Sequence, residues 1–467
     1  MRAKLAIATP VLLLAFGLAG FATSHSQEPQ PAPPGIPGAP APADTTAPAP
    51  TQSGDVTLEL LKHNQQALIR LAFPAFHGTA GLTPAGAAAA AREIEETVRQ
   101  DLIFSGYFQI QGPADFAALH VTGDPQRDLE AYRSLGNAIL LDGVVRSEED
   151  RIVFEGRLFD LKGGQSILAK RYRGGYSVAR RVGHTFADEV IRYLTGGKGI
   201  GLSTIAFSSD RTGFKEIYLM DYDGLNVRRI TGHRSTSLSP AWSPAGDSIA
   251  YTSFVNGPPG LYLVELANGR KRPLVTSGSL NISPSFSPDG ARIAFSRSLE
   301  GNVEIFTAAK DGSDLRRLTH NDAIDTNPAW SPKGGDIAFT SSRAGSPHIY
   351  LMDAEGTNVR RLTFEGTYND GAAWSPEGSL LAYASRRDGR FQIAVTNVAT
   401  QQTRVLTSGP GEHQSPVFSP DGRKIAYTST RNGSKQIFVM DLDGGNVHQL
   451  TTEGNNDMPD WSRGQQP

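Results

Sequence analysis

Trp330-Ser331-Pro332 is one of a set of tripeptides that return along the chain at a constant step. Trp242-Ser243-Pro244, Phe286-Ser287-Pro288, Trp374-Ser375-Pro376 and Phe418-Ser419-Pro420 complete the set, each 44 residues from its neighbour. A worn copy, Trp461-Ser462-Arg463, follows 43 residues after the last. A fixed period of this length marks a repeat architecture and lies in the range of four-stranded propeller blades. Around Trp330 the repeat reads as four short strands: Pro328-Ala329-Trp330 (A), residues 337–340 (B), 349–352 (C) and 359–362 (D). Between A and B stand Ser287-Pro288-Asp289-Gly290 and Ser419-Pro420-Asp421-Gly422, where proline second and glycine fourth suit a type I turn. The C–D turns carry Asp223-Gly224, Asp311-Gly312 and Asp443-Gly444, with glycine supplying the positive φ that hairpins need.

The blade count is arithmetic. B strands begin at Ile205, Ile249, Ile293, Ile337, Leu381 and Ile425, which makes six. The A anchors also number six but start one repeat later, since Lys198 stands where Ile205 would need its tryptophan. Trp461, conversely, has no B strand after it. The expectation is a closed ring in which Pro459-Asp460-Trp461 pairs beside Ile205, which removes the open edges of a linear stack. The expected fold is therefore multidomain: a six-bladed β-propeller of four-stranded blades over residues 200–467, preceded by a small α/β domain.

The 467 residues carry a net charge of −2 with 20 % charged side chains and no basic block, so nothing calls for nucleic acid or an anionic membrane surface. With no cysteine, disulfides, thiol nucleophiles and thiolate metal sites are excluded. Arg2 and Lys4 precede an apolar run from Leu5 to Phe21 and then small residues to Ser26, the pattern of a secretory signal over residues 1–26. Pro10 and the Gly17/Gly20 pair argue against an uncleaved membrane anchor, and no later stretch is apolar enough to span a bilayer. Residues 27–54 are rich in Pro, Ala and Thr and are expected to form a disordered tether.

Residues 55–199 read as the α/β domain. A strand ends at Pro74, and a helix begins at Thr83-Pro84, with Ile94, Val98 and Leu102 on one face and Gly106 at its end. After a short strand at 107–110, a second helix is expected over 129–135. Strands follow at 138–145, 151–159 and 165–172, the first two joined by residues 146–150, and then a helix over 178–194. His184 and Asp188 are four apart on that last helix, a spacing that metal ligands use but that a surface pair or cap explains better. No nucleophile elbow, phosphate loop or dinucleotide fingerprint occurs, so no enzyme, cofactor or metal is expected. Asp221-Tyr222-Asp223-Gly224 touches the pattern of a calcium loop, yet it falls at a C–D turn, where hairpin chemistry explains it.

An α/β domain ending in Gly183-His184-Thr185-Phe186-Ala187-Asp188-Glu189-Val190 and Leu194-Thr195-Gly196, followed by these blades, resembles the TolB family of periplasmic propeller proteins. The resemblance covers nearly all of residues 55–467. It implies a periplasmic, monomeric, non-catalytic scaffold of the Tol–Pal system that holds Pal, a peptidoglycan-associated outer-membrane lipoprotein, and so supports membrane integrity and envelope constriction at division. It also implies contact with TolA through the N-terminal region, where the long Pro/Ala tether departs from the family's short end. The chain enters the ring at a B strand, so its first domain is expected beside the A–B and C–D turns, leaving the D–A loops open. Those loops supply the candidate partner site at the channel mouth: Thr236; Leu280, Asn281 and Ser283; Asp325 and Thr326; Asn369 and Asp370; His413 and Gln414; Asn456 and Asp457. Thr326 matches a threonine the family uses near Pal, whereas Leu280 and Ser283 fall where a family histidine and alanine are expected. The alternative is a propeller that gates or binds peptides or glycans in the envelope.

Overall fold

A computed structural model of the chain describes residues 68–78, 85–119, 121–122, 124–299 and 301–463. The expected signal (1–26) and tether (27–54) lie outside the described residues. The first domain runs β1 (Ile69–Ala72), α1 (Ala85–Ser105), β2 (Phe108–Gln111), α2 (Pro125–Ser134), β3 (Ile139–Glu148), β4 (Arg151–Asp160), β5 (Gln165–Gly175) and α3 (Ala179–Thr195). Its sheet has the order β2-β1-β3-β4-β5, with β1 parallel to both neighbours and β3-β4-β5 antiparallel. Helices α1 and α3 cover one face: Ile94, Val98 and Leu102 are wholly buried with Phe186 and Val190 over Leu141, Phe154 and Leu158. Helix α2 starts four residues earlier than hydrophobic spacing indicates, because Asp124 caps it by accepting from the Gln126 N–H at 3.0 Å. The β3–β4 pairing runs through Glu148–Arg151, so the joint is a tight turn at Glu149-Asp150 rather than a five-residue link.

The rest is six four-stranded antiparallel sheets. Five are continuous in sequence; in the third, strands A to D are Asp325–Trp330, Asp336–Ser341, His348–Asp353 and Arg360–Arg361. Strands B and C are buried along nearly their whole length, because neighbouring blades cover both their faces. Ile305 of one blade, for instance, packs with Ile337, Phe339 and Met352 of the next. Each such side chain contributes on the order of 2 kcal/mol by leaving water. The sixth sheet closes the ring: Asn456–Trp461 is strand A to Thr204–Ser209 (B), Glu216–Asp221 (C) and Arg228–Arg229 (D). Trp461 stands opposite Ile205, and its indole N–H donates to Ser203 Oγ at 2.8 Å.

The first domain meets the ring at the A–B and C–D turns. Arg180 pairs with Asp221 and Asp223 of the closing blade's C–D turn. Arg423, next to an A–B turn, lies over the Tyr107 ring at 3.9 Å. Between these contacts the Asp101 carboxylate joins both domains: His184 Nδ1 stands 2.7 Å from one oxygen and the Tyr222 hydroxyl donates to the other. All three side chains are buried. His184 is therefore not one half of a surface pair: Asp188 accepts the Gly201 N–H at 3.0 Å instead of pairing with it. Helical spacing cannot show this, because both partners come from elsewhere in the chain. The linker must approach these carboxylates closely. A Cβ on Gly199 would lie 2.1 Å from Asp188 Oδ1, and one on Gly201 would lie 2.9 Å from Asp101 Oδ2.

Candidate functional site

The opposite face of the ring carries the D–A loops and the B–C hairpins, which bind one another. Phe254 N donates to Thr236 O, Ser342 N to Ile324 O and Thr430 N to Glu412 O, at 3.0, 3.1 and 3.0 Å. Eleven of the twelve candidate residues are not in the loops. They lie inside strand A of their blades, and Thr236 immediately precedes one. In the sequence, the proline (Pro240, Pro284, Pro328) marks the expected start of strand A. Strand A is the inner edge strand of each blade, however, so proline is tolerated, and the strand continues upstream across a bulge. The bulge residue has positive φ in every blade: Ser239, Ser283, Asn327, Gly371, Ser415 and Met458.

This geometry divides the candidates. Asn281, Asp325, Asn369, His413 and Asn456 occupy one phase of the repeat and are wholly buried. They work inward: Asn281 donates to Ser277 O at 3.0 Å and accepts from Arg297, and Asn456 donates to Glu453 O at 3.0 Å and accepts from Arg211. Asp325 accepts from Arg343 and Asn321 at 2.9 and 2.8 Å, while burial holds its carboxyl above the usual range. Each ties its D–A loop to the body of the blade. His413 is the exception. Neither ring nitrogen has a partner, and burial, followed by the Arg431 charge, pulls its pKa down to about 4.

Asp370 and Asp457 are also buried, each beside a bulge. Asp370 Oδ1 accepts from Thr340 and Asn327 of the preceding blade, both at 2.7 Å, and Asn327 accepts from Ser283 Oγ at 2.7 Å. These bonds form a polar arc across three blades at the bulge level. Asp457 pairs with Lys435. The five half-buried positions left for contact are Thr236, Leu280, Ser283, Thr326 and Gln414.

Two rows of residues have roles that local patterning does not show. One position near the start of strand C is a buried polar side chain in five blades (Glu216, Glu304, His348, Gln392, Gln436), with a threonine 15 residues on beside it, as in Thr407 donating to Gln392 at 2.7 Å. The arginines of the B–C hairpins stack on the aromatics of strands B and C: Arg343 lies 5.4 Å from the Phe339 ring and 5.1 Å from Tyr350. Both rows recur at 44-residue spacing, which was the available signal. Among the described residues, no cluster of three His, Asp or Glu is arranged to hold a metal, and no helix is long and apolar enough to cross a membrane.

A family described as the TolB beta propeller domain matches residues 191–415 and 371–466, and one described as the TolB amino-terminal domain matches 57–167. The Tol-Pal system protein TolB of Geobacter sulfurreducens is 39 % identical over 159 residues, 34 % of this chain and 37 % of that protein. A TolB homolog of Chlorobium chlorochromatii is 35 % identical over 205 residues, 44 % of this chain and 46 % of its own. The chain thus spans less than half the length of either relative in these matches. The crystal structure of TolB from Acinetobacter baumannii superposes with a TM-score of 0.73 at 27 % identity, over 85 % of this chain and 97 % of that one. With the two propeller matches together extending over residues 191–466, more than half of the chain, and with the expected six-bladed ring and preceding α/β domain both present, the chain belongs to the TolB family.

Proposed function

We propose that this chain is a non-catalytic periplasmic scaffold of the Tol–Pal system, holding a Pal-like peptidoglycan-associated lipoprotein on the open face of its ring. In that role it supports outer-membrane integrity and envelope constriction at division, and its N-terminal region engages TolA. The name of the Geobacter sulfurreducens relative places that protein in the Tol-Pal system. The observation that carries the reading is the unequal use of the two faces. The first domain is docked on the A–B and C–D turns, and the face bearing Thr236, Ser283, Thr326 and Gln414 makes none of the interdomain contacts described above. A rigid closed ring presenting short loops around a channel suits binding of a folded partner without turnover.

The test is the affinity of the full chain for the periplasmic domain of the Pal protein from the same organism. Thr326→Lys, at a half-buried rim position, is expected to weaken binding by about tenfold. Unchanged affinity in Thr326→Lys, Ser283→Lys and Gln414→Lys alike would remove the open face as the site.

A further inference from the structure

We propose that one sector of the open face, built on the fourth blade, receives an acidic loop of the partner protein: Arg386 and Arg390 take its carboxylates, and the Phe364 ring takes an apolar side chain beside them. This inference rests on the docking reading above and assigns its chemistry to one place.

Phe364 lies in the D–A loop that enters the blade's strand A (Tyr368–Trp374), and at 62 % exposure it is the most exposed large apolar side chain among the described residues. The Arg361 guanidinium sits 5.0 Å from its ring centroid. The arginines belong to the adjacent B–C hairpin, in which strand B (Leu380–Arg387) passes into strand C (Arg390–Asn397) through Asp388-Gly389. Both turn residues have positive φ, 51° and 81°, so the hairpin closes in the tight two-residue form and its register is fixed. Loop and hairpin are tied together: Thr367 N donates to Arg386 O at 3.2 Å, and Arg387 donates to Glu365 at 2.8 Å. Arg386 is the cross-strand neighbour of both Tyr368 and Phe391, whose rings meet edge to face at 5.5 Å. The sector is thus a built surface.

Arg386 and Arg390 are not paired with an acid among the described residues. Glu365 is occupied by Arg387, and Glu412 accepts the Phe391 N–H at 2.8 Å. The Arg386 side chain reaches only the Gly389 carbonyl, at 3.4 Å, and the Arg390 guanidinium has no partner among the described residues. Arg387 and Arg390 moreover stand directly opposite each other, a like-charge pairing that works against the hairpin.

No other blade repeats the arrangement. The positions equivalent to Arg386 hold Asp210, Phe254, Ser298, Ser342 and Thr430; those equivalent to Arg390 hold Phe214, Pro258, Asn302, Ser346 and Ser434. A departure confined to one blade, unfavourable for local folding and combining arginine with an exposed aromatic ring, has the composition of an interface anchor. Two guanidinium groups on a hairpin of fixed register are matched by carboxylates, and the exposed ring of the loop tied to that hairpin by an apolar side chain, which an acidic protein loop supplies together.

The experiment measures binding of the full chain to the periplasmic domain of the organism's own Pal protein, at low and high salt. Arg386→Glu/Arg390→Glu is expected to weaken binding about tenfold at low salt and to flatten its salt dependence. Phe364→Ala is expected to weaken it about tenfold at either salt. Because all three side chains are exposed, the variants should melt with the parent, and that check is part of the experiment. If Thr326→Lys weakens binding while these variants bind like the parent, open-face docking stands and the acidic-loop contact is overturned. If the parent chain does not bind, both fall. If instead the parent is retained on phosphatidylglycerol vesicles and the arginine variant is not, the arginines serve a lipid surface and the proposal is again overturned.

Discussion

On the face turned to the first domain, polar groups are matched across the joint: Asp101 is held by His184 and Tyr222, Asp188 by the Gly201 N–H, and Arg180 by Asp221 and Asp223. On the other face the matched groups sit one layer down, at the buried ends of the A strands. Above them lie half-buried rim positions, two arginines without acidic partners and an exposed phenylalanine. The repeat is the same on both faces, so the contrast comes from single residues placed on it. Tyr222 occurs at that C–D position in one blade only, where Leu266, Lys310, Ala354, Val398 and Leu442 stand in the others. A symmetric scaffold is made asymmetric by such substitutions, one set building the joint between the domains and the other an exposed surface.

The severest way to break this contrast is to open the ring. A chain ending at Asn455 leaves Thr204–Ser209 without its inner neighbour and uncovers Ile205 and Phe207, both now wholly buried. With the loss of Trp461 this forfeits about 6 kcal/mol of burial, comparable with a whole domain's stability. Cooperative thermal unfolding should disappear, and a native melting curve would contradict closure.

A smaller effect sharpens the open side. His413 has a folded-state pKa of about 4, below its unfolded value, so between about pH 4 and 6.5 the unfolded chain binds more protons. Its contribution is intact above pH 6.5 and is lost as pH falls toward 4, by about 3 kcal/mol. His413→Asn, which installs the residue that Asn281, Asn369 and Asn456 supply elsewhere, should flatten this acid limb in urea titrations; an unchanged limb would mean that His413 is not its source.

Smaller still, Tyr222→Phe removes one hydrogen bond to a buried carboxylate at the joint and should lower stability by about 2 kcal/mol, read from urea unfolding of the full chain. A neutral result would mean that Asp101 is already satisfied by His184 alone.

The 44-residue step was enough to place every B strand and to pair Trp461 with Ile205, because the anchors of a repeat do the same packing job each time. The start of strand A was hidden by its own chemistry. A polar run ending in Asn-Pro or Ser-Pro has the composition of a turn, and only the bulges at Asn327 and its equivalents allow it to remain paired. The candidate positions therefore fall at the start of strand A rather than in the loops, and seven of the twelve face inward. His184 was misread for the converse reason: its partners, Asp101 and Tyr222, lie 83 residues before it and on the far side of the linker. No local pattern encodes that meeting. The buried row from Glu216 to Gln436 was visible as spacing but disguised by its mixture of Glu, His and Gln.

Amide hydrogen exchange of the full chain, with and without the periplasmic domain of a Pal protein from the same organism, tests most directly the proposal that the D–A face is a docking surface. Slowed exchange is predicted around residues 276–283, 320–327, 364–370 and 386–391, with residues 220–225 and 420–424 unchanged. Slowing confined to the A–B and C–D turns, with the D–A loops and B–C hairpins unaffected, would contradict the account.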